Sequence, residues 1–165
     1  MFLYVLKRSE QVLKMKVKPI QTSRSISAPI ETVFQTIADI RNFSKAVPHI
    51  VKIEFLTEQK VGVGTRFEET RLMNGREHTV ELEVTELVEN DRIRMVSDAG
   101  GTIWDTVFTV SQAADTVALD MEMDVKPYKL LAKLMTPLIR GTVVKGVATD
   151  MDAVKAYCES LRDNA

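Results

Sequence analysis

Between Arg66 and Val125 apolar and polar residues alternate with a period of two, which predicts a run of strands that each bury one face. The turns between them set the register. Asn74-Gly75 is the strongest two-residue hairpin signal in the chain. Centred there, a hairpin pairs Phe67 with Leu82, Glu69 with Val80 and Arg71 with His78 on one face, and Arg66 with Glu83 on the other. Glu68 opposite Glu81 is the one repulsive pair. Gly100-Gly101 pairs Ile93 with Phe108, Met95 with Thr106 and Ser97 with Trp104. A turn at Ala113-Ala114 pairs Val110 with Val117, Phe108 with Leu119, Thr106 with Met121 and Trp104 with Met123. Both turns put Trp104, Thr106, Phe108 and Val110 on one face and send Asp120, Glu122 and Asp124 to the other. A slip of one residue would bury those carboxylates. A turn at Asn90-Asp91 turns Glu86 inward, a conflict that a nearby bulge would remove.

Outside this region the pattern changes. Lys16 to Ala28 reads as a first strand, closed by Pro29, which suits the first turn of a helix. Ile30, Val33, Phe34 and Ile37 follow at helical spacing, with Glu31 at the positive end of the dipole. A second short helix covers Ile40 to Val47 and stops before Pro48. Ile50 to Gln59 reads as strand two, with Gly62 and Gly64 in the turn after it. From Pro127 to Leu161 the pattern is helical, in two pieces. Leu130, Leu131, Leu134 and Met135 form the first; Thr136 caps and Pro137 opens the second, whose buried stripe is Val144, Val147, Met151, Val154, Cys158 and Leu161. The second piece is a rod of about 37 Å, long enough to cross a whole sheet.

The bulk properties narrow the function classes. A chain of 165 residues, 45% hydrophobic and 27% charged, is sized for one domain with its own core. Its net charge of −1 offers no positive stripe for nucleic acid and no global attraction to anionic lipid. The single cysteine, Cys158, excludes an internal disulfide and any CxxC motif, in keeping with a reducing cytoplasm. The apolar run Phe2 to Leu6 is too short, and placed wrongly relative to Lys7 and Arg8, for a signal peptide or a membrane span. Residues 1–16 are then a short amphipathic helix on the domain, or an extension upstream of a start at Met15. The second is favoured because strand pattern begins only near Val17, which leaves 17–165 as the domain.

The order strand, two short helices, six strands, long helix resembles the helix-grip superfamily, which includes START domains, the birch-pollen-allergen fold and the polyketide cyclase/dehydrase (SRPBCC) family. Three stretches carry the likeness: SRSISAPIETVFQTIADIRNFSKAVPHI, VGVGTRFEETRLMNGREHTVELEVTELVENDRIRM and KPYKLLAKLMTPLIRGTVVKGVATDMDAVKAYCESL, within a match from Val17 to Leu161. The resemblance implies an α+β fold in which a curved, antiparallel, seven-stranded sheet wraps around the long C-terminal helix. It also implies that a hydrophobic or aromatic small molecule lies between the two.

In that fold the inward residues are Phe67, Val80, Leu82, Ile93, Met95, Trp104, Phe108, Leu119, Met121 and Met123, faced by Leu134, Leu138, Val144, Val147 and Met151. On composition alone they describe a filled, dry core; the resemblance turns the reading to a ligand cavity, with the methionines as an adaptable lining. Glu69, Arg71 and His78 share this face. Either Glu69 and Arg71 are a compensating ion pair at the cavity mouth with His78 at its rim, or Arg71 holds a ligand oxygen while His78 or Glu69 exchanges a proton. Glu69-Thr70-Arg71 is similar in placement to a Ser-x-Arg pair of polyketide aromatase/cyclases, with glutamate where that pair has serine.

Other candidates read as structural. His49 belongs at the surface and Cys158 in the core. Asp105, Asp120, Glu122 and Asp124 form a solvated outward face rather than a metal site, and two distant histidines give no zinc spacing. Gly62 and Gly64 open no helix, so they form no phosphate loop. The expected function is a cytoplasmic carrier or sensor, monomeric or homodimeric and without a cofactor, binding one hydrophobic or aromatic metabolite. The alternatives are a cofactor-free cyclase, dehydratase or isomerase, and a lipid- or quinone-binding protein that delivers at a membrane.

Overall fold

The structure, a computed structural model, describes residues 17–163. Strand β1 (Ile20–Ile26) leads into helices α1 (Ile30–Ala38) and α2 (Ile40–Ala46). Then come β2 (Ile50–Phe55), β3 (Arg66–Met73), β4 (Arg76–Val88), β5 (Arg92–Ala99), β6 (Thr102–Ala113), β7 (Thr116–Pro127) and the long helix α3 (Leu130–Asp163). The strands form one antiparallel sheet in the order β1-β7-β6-β5-β4-β3-β2. This is the α+β architecture expected from the sequence. Residues 1–16, and the two readings of them, lie outside the described residues.

Alternation sets the registers of β3–β4 and β5–β6 as expected: Arg71 stands opposite His78, and Ser97 opposite Trp104. Asn74 and Gly75 both take positive φ, as their tight hairpin requires. The β4–β5 connection is a three-residue loop with Asn90 at φ 54°, and the register shifts between Val84 and Glu86. The extra loop residue sets Glu86 opposite Arg94, and the shift brings Val84 opposite Met95, so the conflict at Glu86 is resolved by a bulge.

The β6–β7 register differs from the expectation by two residues. The turn is Ala114-Asp115, so Val110 faces Leu119, Phe108 faces Met121, Thr106 faces Met123 and Trp104 faces Val125. Ala114 adopts φ 53°, and the Gln112 amide donates to the carbonyls of Ala114 and Thr116, at 2.8 and 3.2 Å, closing this turn instead of the neighbouring one. A two-residue shift leaves every side chain on the same face, so the inward set is unaffected.

The long helix is continuous. Pro137 sits inside it and removes one backbone hydrogen bond, but Pro137 is exposed, so water can satisfy the Lys133 carbonyl. Thr136 is interior as well and donates its hydroxyl to the Ala132 carbonyl at 2.7 Å. The second half of α3 packs on β1 and α1. Arg24 Nε meets Asp152 at 2.6 Å, Ser27 N–H donates to Glu159 at 2.9 Å, and Cys158 Sγ lies 3.4 Å from Thr36 Oγ1. The core between sheet and helices is built from Ile26, Val33, Ile37, Phe67, Ile93, Leu119, Met121, Met151 and Val154, all essentially inaccessible. Phe43 of α2 stacks edge-on against Phe108, ring centres 6.0 Å apart, and so fixes the short helices to the sheet.

Candidate functional site

Inward-facing residues of β3 to β7 form a concave apolar wall whose burial is graded. Phe67, Met95, Phe108, Met121 and Met151 are buried, whereas Val80, Leu82, Trp104, Met123 and Val147 are only half-buried. The half-buried group spans β4, β6, β7 and the middle of α3, so this part of the wall is not fully closed off from solvent. Ser97 lies on the same wall. Its hydroxyl is buried and has no hydrogen-bond partner among the described residues.

Leu134 and Leu138 do not face this wall. Both are exposed, as is Val144. The reason is helical phase: the stripe Cys158, Val154, Met151 and Val147, continued back at 3.6 residues per turn, arrives at Val143, Thr136 and Ala132. The leucines lie on the opposite side of α3. Small residues, not leucines, are what the first half of the helix turns inward.

Glu69, Arg71 and Asp150 carry the site's charge. Successive inward positions on β3 put Glu69 beside Arg71, and α3 brings Asp150 across to the same guanidinium. Arg71 Nε donates to Glu69 Oε1 and Nη1 donates to Asp150 Oδ2. Glu69 is 4% exposed and Asp150 9%, so both carboxylates depend on this cation for charge compensation. Burial disfavours the charged guanidinium, but Glu69 and Asp150 outweigh that and hold Arg71 above its ordinary value. Polar positions stay open: Arg71 Nη2 and Glu69 Oε2 make no hydrogen bond with the described residues, and Asp150 Oδ1 is buried without a partner. His78 stands opposite Arg71 in the ladder but is exposed at the rim, as is His49, whose carbonyl accepts from Leu72 N–H at 2.8 Å.

Asp150 was absent from the sequence candidates. Its signal was available: it falls on the inward stripe between Val147 and Val154, where a carboxylate is costly unless paired.

On the outward face, Asp105 is buried rather than solvated, which corrects its place in the acidic surface. Arg94 clasps it through two hydrogen bonds of 2.7 Å, and Lys126 adds a third at 2.9 Å. Against the opposing cost of burial, Arg94 first and Lys126 second pull the Asp105 carboxyl down to about 2. The arrangement ties β5, β6 and β7 together and is structural. Asp120 and Glu122 are exposed, as expected.

Comparison with known proteins agrees with this architecture. Residues 19–159 match the family model described as polyketide cyclase / dehydrase and lipid transport. A search of curated protein sequences finds no match. Among solved structures, the chain is similar to Ara h 8.0201, with TM-score 0.69 and 14% identity over 86% of this chain and 97% of that one. It is similar to a START superfamily protein from Mycobacterium smegmatis, with TM-score 0.68 and 15% identity over 88% and 99%. It also resembles the di-domain ARO/CYC StfQ from the steffimycin biosynthetic pathway, with TM-score 0.75 and 11% identity over 96% of this chain and 55% of StfQ. At these identities the likeness concerns the fold.

Proposed function

The chain belongs to the polyketide cyclase / dehydrase and lipid transport family, whose members typically bind hydrophobic ligands, and on that footing we propose that it is a carrier or sensor in the cytoplasm. It binds one hydrophobic or aromatic small molecule between the concave sheet face and α3, and releases it unchanged. The observation that carries this reading is the half-buried apolar set Val80, Leu82, Trp104, Met123 and Val147, which a filled core would have closed off from water.

The charged cluster refines the ligand. One guanidinium between two carboxylates has no surplus positive charge, so it is a poor receptor for a ligand carboxylate and a poor stabiliser of a developing enolate. What it offers is the donor Arg71 Nη2 and the acceptors Glu69 Oε2 and Asp150 Oδ1. A neutral hydroxyl at the end of an apolar body, which both donates and accepts, suits such a cluster better than a charged group. The same reasoning counts against a cofactor-free cyclase, as does His78, which stands at the exposed rim rather than over the wall.

The test is recovery of the protein under native conditions, with mass spectrometry of whatever small molecule accompanies it, followed by Asp150→Asn and His78→Ala. A retained neutral apolar molecule, bound more weakly by Asp150→Asn and equally well by His78→Ala, supports the carrier. A molecule converted to product by the wild type and not by His78→Ala establishes the enzyme instead.

A further inference from the structure

The first half of α3 is apolar on both sides. Ala132, Thr136 and Val143 face inward, while on the opposite side Leu130, Leu131, Leu134 and Leu138 are 85%, 71%, 70% and 73% exposed. Isolated exposed leucines are ordinary; four on one helical face form a contiguous patch that calls for a partner. The hairpin topology places the start of α3 at the same end of the sheet as the Asn74-Gly75 and Gly100-Gly101 turns. Leu72 and Met73, at the first of these turns, are exposed too.

The charge around this patch is one-sided. Residues 127–149 contain Lys129, Lys133, Arg140 and Lys145 and no Asp or Glu, within a chain whose net charge is −1. Lys133 adjoins Leu134, and Lys145 lies two turns beyond Leu138 on the same face. Neither has a carboxylate partner among the described residues, and the one carboxylate bonded to this stretch is Asp98, through the Tyr128 hydroxyl. Net charge conceals this, because the carboxylates lie elsewhere in the chain.

We propose that this face docks on the surface of an anionic phospholipid bilayer, with the four leucines entering the headgroup boundary and Lys133 and Lys145 meeting lipid phosphates and carboxylates. Exposed apolar side chains flanked by unpaired cations are what interfacial binding requires. The same charges disfavour a second copy as the occupant, since a twofold pairing of these faces sets Lys133 and Lys145 near their own counterparts. Among the described residues no helix is long and apolar enough to cross a membrane, so the contact is peripheral. Docking at this end would bring the half-buried wall to the bilayer. That role in delivery rests on the ligand-binding reading, whereas docking itself does not, and it is measured without any ligand, so the two fail separately.

The experiment is co-sedimentation of the full chain with phosphatidylcholine vesicles prepared with and without phosphatidylserine. Binding is expected to the phosphatidylserine vesicles, weakened by salt, and lowered about tenfold by either Leu134→Ser or Leu138→Ser and about fivefold by Lys133→Gln or Lys145→Gln. All four positions are exposed, so unchanged thermal unfolding of each variant confirms that the fold is intact. Absence of binding, or binding indifferent to the leucines, overturns the proposal. So does a stable dimer dissociated by Leu134→Ser, which would make the partner a second copy. A third reading is tested by Leu134→Cys in the lipid-free protein, where Cys158 is buried and silent. Slow reaction of the new thiol would mean that the chain covers this face itself, and would overturn the proposal equally.

Discussion

Replacing Arg71 by methionine keeps most of the side chain's bulk and removes its charge. The variant leaves Glu69 and Asp150 as neighbouring, nearly inaccessible carboxylates with no cation between them. Breaking a buried ion pair by deleting one partner costs about 3–5 kcal/mol. The Arg71 side chain is 25% exposed, so water reaches the vacated position and the lower end, about 3 kcal/mol, is expected. For a chain of this length that corresponds to a fall in Tm of roughly 6–12 °C. Adding Glu69→Gln and Asp150→Asn to Arg71→Met relieves the repulsion outright and restores most of the stability at pH 7. Urea denaturation of the three proteins at pH 7 measures both differences. A variant within about 0.5 kcal/mol of wild type at pH 7 would show that the three groups do not form one buried cluster.

Two further predictions address the frame around the site. Asp105→Asn removes the acceptor shared by Arg94 and Lys126; its carboxyl, held at about 2 against an ordinary 3.8, contributes stability that is complete above pH 4 or so and lost as pH falls through 2. The Asp105→Asn deficit, about 1–2 kcal/mol after screening at the half-exposed Arg94 and Lys126, is therefore expected at pH 7 and absent near pH 2, as followed by thermal unfolding against pH. Met151→Ala is expected to cost about 2–5 kcal/mol and Leu138→Ala less than about 0.5 kcal/mol, and equal losses in urea denaturation would contradict the helical phase described here.

Much of this arrangement was legible in the residues. Asn74-Gly75 and Gly100-Gly101 are turns with a strong conformational reason, and the pairings drawn from them, Arg71 with His78 and Ser97 with Trp104, are those in the sheet. The β6–β7 turn has no such residue: Ala113, Ala114 and Asp115 compete nearly evenly, and alternation cannot sense a shift of two because both registers bury the same side chains. The phase of α3 was lost for a different reason. Leucines at four-residue spacing look like a buried stripe, and in Leu130, Leu134 and Leu138 that stripe faces outward, a departure from core patterning of the kind that accompanies function. The place of Asp150 on the inward stripe was legible, but its partner was not, because Arg71 lies 79 positions earlier, across the fold.

The central claim, that the concave wall holds an apolar guest, has a built-in reporter. Trp104 is the chain's one tryptophan and stands half-buried on that wall. Energy transfer from Trp104 to the neutral fluorophore N-phenyl-1-naphthylamine should rise to saturation at one molecule per chain and fall when Leu82→Phe, which adds bulk without a second tryptophan, fills the space with its own side chain. Transfer that never saturates, or that is unchanged by the bulkier residue at position 82, would mean that the wall is the side of a closed core and that there is no cleft to fill.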